Sequence, residues 1–172
     1  TIGTPMNAIS QGVRAKVVMV LAHKPFFVLI ARDHIKAVKD LRGRTIAISN
    51  VGGSLDLSLV WILESFGMKR SEIQVLPTGN TRNAFIALQS KRADAAMLVS
   101  PLDFLLEKEG GYTPLAYLDE LVEAPLHGWV TTEKHIRTKR DQVKRLIKGT
   151  LEGIAYTKAH REEAIPLLNK IL

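Results

Sequence analysis

The sequence predicts an α/β fold, with a central, mostly parallel sheet flanked by helices. Three observations predict it. Short, continuous apolar runs rich in β-branched residues alternate with longer segments whose apolar residues recur every three or four positions. Glycines and helix-capping residues mark most of the junctions between them. At 172 residues, 46% hydrophobic and 24% charged, the chain can bury the core of one ordinary domain or of two small lobes.

Residues 17–21 and 26–31 read as buried strands, with His23-Lys24-Pro25 as the turn between them. Residues 38–43 form a short helical turn closed by glycine, and 45–49 a third strand. After a loop at 50–54, a helix is predicted over 55–66, with Leu55, Leu59, Ile62 and Leu63 on one face and Gly67 as its stop. Trp61 lies on this apolar helix and is expected in the core. Residues 73–76 are a strand and 77–80 a loop. Residues 81–90 are a helix with Ala84, Phe85 and Leu88 inward. Residues 95–99 form a strand, Ser100-Pro101 opens a helix ended by Gly110-Gly111, and 115–118 and 129–132 are further strands. The remaining residues read as helical. Thr138 and Asp141 have capping-box spacing at the start of a long amphipathic helix, and Pro166 must kink or delimit the last one.

In an open α/β sheet, ligands bind beyond the carboxyl ends of the strands, where helix starts leave amides unpaired. Three loops join a strand to a helix in this way. They contain Asn50, Gly52, Gly53 and Ser54; Gly79, Asn80 and Thr81; and Ser100 and Pro101. Glycine lets a ligand approach the backbone closely, and the hydroxyl and amide side chains supply hydrogen bonds suited to a carboxylate, sulfonate, phosphate or polar heterocycle. Each loop also reads simply as a helix cap. Thr4-Pro5-Met6-Asn7-Ala8-Ile9 echoes Ser100-Pro101-Leu102-Asp103-Phe104-Leu105. The echo adds Thr4 and Pro5 as candidates at a second, similarly built turn, and Trp129 reads either as a core residue or as a candidate for stacking on a ligand.

Catalytic patterns are absent. With no cysteine, the chain has no disulfide, thiol nucleophile or thiolate metal site. The five histidines are scattered, and neither a dinucleotide fingerprint, a P-loop nor a G-x-S-x-G motif occurs. No catalytic residue, metal or cofactor is therefore expected. The net charge is +7. Residues 133–161 carry most of it on an amphipathic helix, where it reads as a solvated face rather than a nucleic-acid site. The chain starts without Met or a leader and stops within an apolar pattern, so a longer parent chain is expected, with any targeting signal in the remainder.

The segment Val38-Lys39-Asp40-Leu41-Arg42-Gly43-Arg44-Thr45-Ile46-Ala47-Ile48, the Gly-Gly-Ser loop after it, Ala87-Leu88-Gln89-Ser90, Ala93-Asp94-Ala95-Ala96 and Ser100-Pro101 follow one another in a familiar order. Together they resemble type-2 periplasmic binding proteins, above all the nitrate/sulfonate/taurine substrate-binding proteins of ABC transporters. The resemblance implies a two-lobed fold. Residues 36–124 would form one complete α/β lobe, and residues 1–35 and 125–172 an incomplete one that lacks two strand–helix units. It implies capture of a small-molecule ligand, anionic or polar, in an interlobe cleft, and delivery to an ABC permease in the membrane from a periplasmic or extracellular location. The incomplete lobe leaves room for self-association. A sensory module of a regulator or receptor would share the fold. The thiamine-pyrimidine synthases share it too, but their cysteine-rich motif has no match here, so an enzyme is not expected.

Overall fold

The computed structural model describes residues 2–169. In chain order they form α1 (Gly3–Ser10), β1 (Ala15–Ala22), β2 (Phe27–Arg32), β3 (Thr45–Ile48), α2 (Ser54–Ser65), β4 (Gln74–Pro77), α3 (Thr81–Gln89), β5 (Ala95–Val99), α4 (Leu102–Glu109), β6 (Tyr112–Tyr117), α5 (Leu118–Leu121), β7 (His127–Thr132), α6 (Glu133–Thr138), α7 (Arg140–Ala159) and α8 (Arg161–Asn169). Two 3-10 turns, Val38–Leu41 and Arg70–Glu72, precede β3 and β4.

Five strands make the main sheet, in the order β4-β3-β5-β2-β6. β3 runs parallel to β4 and β5, whereas β2 is antiparallel to both β5 and β6. β4, β3, β5 and β6 therefore point the same way and β2 alone runs against them, so the sheet is mixed in its pairing and mostly parallel in its direction. Its two faces explain the unbroken apolar runs. Successive side chains of a strand face opposite ways, and both faces are covered. Phe27, Leu29 and Ala31 of β2 pack with Leu55, Leu59, Ile62 and Leu63 of α2, while Val28 and Ile30 pack with Ala84 and Leu88 of α3 and Leu106 of α4.

β1 and β7 form a separate antiparallel ribbon, with Val17 opposite Val130 and irregular register on either side of Met19 and Val20. Two segments link it to the main sheet and bond to each other: Ala124 N donates to His23 O at 2.9 Å and Leu126 N to Ala22 O at 2.8 Å.

Several expectations need correction. The first strand is not buried: Val20 is 47% and Leu21 39% exposed, because a two-stranded ribbon offers few neighbours. Trp61 lies outside the core at 44% exposure, on the face of α2 turned away from the sheet. Thr138 does not cap the long helix. Its hydroxyl donates to the Lys134 carbonyl at 3.0 Å inside α6, a helix that Thr132 caps by accepting from the His135 amide. Of the two roles expected of Pro166, it does not delimit the last helix: it lies inside α8, and α7 and α8 part at His160. The apolar side of α7 is present as predicted, yet no residue of that helix is buried. Leu118, expected at the end of a strand, begins α5.

Candidate binding edge

The parallel strands bring the three loops to one edge. β3, β4 and β5 end there at Ile48, Pro77 and Val99, and α2, α3 and α4 start there. Because β2 is reversed, its first residue, Phe27, lies opposite Val99 at this same edge, and Val28 pairs with Tyr117 at the end of β6.

The first loop is braced from within. Gly52 has φ +73°, a left-handed conformation that a side chain would strain. Its amide donates to Asp56 Oδ2 at 2.8 Å. Asp56 is 7% exposed and also accepts from Arg70, whose Nη2 lies 2.9 Å from Oδ1. Gly53 N donates to Asn50 O at 3.3 Å and Gly53 caps α2, which Ser54 begins. The Gly52 amide is thus occupied by the protein itself, and α2 starts directly from this braced turn.

The second loop is tied to the first. Asn50 Nδ2 donates to Gly79 O at 3.4 Å, and Gly79 N donates to Ser49 O at 2.8 Å. Asn80 caps α3, its Oδ1 accepting from the Asn83 amide at 2.8 Å. Thr81, half-buried, opens the helix. The capping reading of Asn80 is therefore realised, and only its Nδ2 remains for other work. Asn80→Ala is expected to cost about 1 kcal/mol through loss of the cap. Asn80→Asp, which keeps an acceptor, is expected to cost less. Urea midpoints with unchanged slopes would show the difference.

At the third loop, Ser100 N donates to Phe26 O at 3.2 Å, and Pro101, preceded by a cis peptide bond, lies at the N-cap of α4. In the first turn of α4, Asp103 is 1% exposed, and its Oδ1 meets no hydrogen-bond donor among the described residues. Thr4 and Pro5 lie in the first turn of α1. Ile2 N donates to Leu126 O at 2.9 Å, and a Cβ on Gly3 would stand 3.5 Å from Ser54 Oγ, so α1 and α2 start side by side. A small cavity between them is lined by Gly3, Ser54, Phe27 and Leu126.

Trp129 is not brought to this edge. It lies on the ribbon, its indole Nε1 donating to Thr150 Oγ1 of α7 at 3.0 Å, in a recess shared with Val18, His135 and Leu146. Sequence reasoning missed Asp56, Arg70, Phe26 and His127. Asp56 stands four residues beyond Gly52, a local spacing that hinted at its role, whereas Arg70 and the ring pair come together only through folding.

Phe26 is 41% exposed and stacks on His127, with ring centroids 5.3 Å apart and planes within 4°. Burial pulls the His127 imidazole below its ordinary value of 6.5, favouring the neutral ring. The unfolded chain then takes up the proton first as the pH falls. The stability this neutral ring contributes is full above pH about 6.5 and is lost as the pH drops through the folded value. Melting curves across pH 5 to 8 are expected to show this slope in the wild type and to lose it in His127→Phe; an equal slope in both would assign it to another group.

A family model described as NMT1/THI5 like matches residues 4–164. The riboflavin-binding protein RibY of Chloroflexus aurantiacus is 25% identical over 159 residues, covering 91% of this chain and 45% of its own length. The periplasmic aliphatic sulphonate binding protein SsuA of Escherichia coli superposes with a TM-score of 0.81 at 24% identity, over 96% of this chain and 57% of that one. The alkanesulfonate-binding protein SsuA of Xanthomonas axonopodis pv. citri, solved with MOPS bound, gives 0.82 at 19% identity, over 97% and 58%. The chain thus shares the fold of periplasmic binding proteins and spans about half the length of the relatives it matches.

Proposed function

The chain belongs to the NMT1/THI5-like family, and from that premise we propose that it is the solute-binding part of an ABC importer. It captures a small anionic or polar organic molecule between two lobes and hands it to a membrane permease from the periplasmic side. We take one lobe to be the five-stranded sheet and its helices, about residues 27–121, which moves the expected boundary at 35/36 back because β2 lies inside that sheet; the other combines residues 2–22 with residues 127–169. The observation that carries this reading is the gathering of the starts of α2, α3 and α4 at one sheet edge, with the start of α1 beside α2. Helix starts present amides and a partial positive charge of about half a unit, a fit for an anionic or electron-rich group. The names of the relatives, binders of sulfonates and of riboflavin, support a solute-binding role and point to differing ligands.

Ser54 and the Nδ2 of Asn80 are the proposed side-chain donors, with Ser100 and Thr4 at neighbouring helix starts. Closure of the lobes by rotation about the 22–26 and 122–127 segments would shut the site from water. Titration calorimetry of the protein with MOPS and with riboflavin tests the assignment. Ser54→Ala and Asn80→Asp are each expected to weaken binding by about tenfold, the loss of one hydrogen bond to a charged or strongly polar group. Unchanged affinity in both variants would sink the site.

A further inference from the structure

We propose that Phe26, seated on His127 at the junction of ribbon and sheet, is a platform on which the ligand lays a planar conjugated ring; the idea rests on the solute-binding reading above and names the ligand class. The geometry is that of an unfinished stack. One face of the Phe26 ring is covered by His127, and Phe27 meets it edge-on at 5.9 Å and 67°, yet 41% of Phe26 stays exposed. A residue exposed to this extent leaves surface open to a further contact. A phenylalanine that needed only shelter would turn into the core, as Phe27 does at 3% exposure. Phe26 is kept out because its carbonyl accepts from the Ser100 amide, in register with the pairing of Phe27 to Val99.

The position suits a ligand. Phe26 stands beside Ser100 at the carboxyl edge of the parallel strands, and its ring partner comes from the other of the two segments linking ribbon to sheet. A centroid spacing of 5.3 Å with planes almost parallel is an offset stack, the arrangement aromatic pairs favour, and a third flat ring can continue it. An uncharged imidazole beneath keeps the platform apolar. Aliphatic solutes can touch the ring but gain no stacking from it.

The test uses four probes on the protein: riboflavin and lumichrome as planar rings, MOPS and taurine as non-planar sulfonates. Calorimetry and flavin fluorescence quenching are expected to detect binding of the planar probes. Phe26→Leu should weaken it by about tenfold, the scale of one aromatic stack. Phe26→Tyr should retain it, which also guards against a folding defect in the leucine variant. Binding of the sulfonates alone, or planar-ring affinity unchanged in Phe26→Leu, would overturn the platform and leave the solute-binding reading standing. Failure of all four probes to bind would overturn both.

Discussion

Arg70→Met is expected to lower the stability of the protein by about 3 kcal/mol, the largest effect of any single polar substitution around the candidate site. Asp56 is 7% exposed, and its Oδ1 takes two bonds from Arg70, from Nε at 3.0 Å and Nη2 at 2.9 Å. Methionine fills much of the same volume without the charge, so a carboxylate would be left in the protein interior with, among the described residues, only the Gly52 amide as a donor. For a chain of this size the loss corresponds to a fall in Tm of roughly 6–12 °C. Asp56→Asn alone should cost less, since Arg70 is about one-third exposed and can turn to water. The double variant should be more stable than the sum of the two single changes predicts, and that non-additivity is the decisive reading. Purely additive losses would mean that the pair does not act as a unit. The consequence reaches the site, because Asp56 holds the Gly52 turn from which α2 begins.

The second large effect is expected from Gly128→Ala. Gly128 stands opposite Val20 in the ribbon, where β1 is irregular. A Cβ there would lie 2.1 Å from the Met19 carbonyl oxygen and 3.3 Å from Val20 Cα, both of them backbone atoms that cannot swing aside. The two strands would have to part, at a cost of about 3 kcal/mol or more. The ribbon is a separate sheet from the five-stranded one, so the damage should be local. Hydrogen exchange is expected to show lost protection at residues 15–22 and 127–132, with protection at 95–99 retained. Wild-type protection of the ribbon in the variant would show that β1 and β7 can shift to admit the methyl group.

Much of the main sheet was legible because its signals are local. The apolar run at 27–31, the glycine after α2, and the Ser, Thr and Asn residues at helix starts each act within a few residues, and the parallel strands follow from the alternation of strand and helix. The loops at 50–54, 78–81 and 100–101 were found the same way, since strand ends and caps are written in adjacent residues. Trp61 misled because residue type alone does not say which side of an amphipathic helix faces the sheet; Leu59 and Ile62 took the core and left Trp61 outside. Trp129 misled because its neighbour Thr150 is 21 residues away and belongs to α7.

By itself, then, the sequence determined the α/β class, the order of elements in the main sheet's lobe and the Asn80 cap of α3. Tertiary structure decided that β2 runs against its neighbours, that Asp56 is held by Arg70, and that Phe26 meets His127 across the two linking segments. The division has a physical cause. Periodicity and capping are energies between near neighbours in the chain, whereas strand direction, ion pairing and ring stacking are energies between groups that only the closed fold brings within reach.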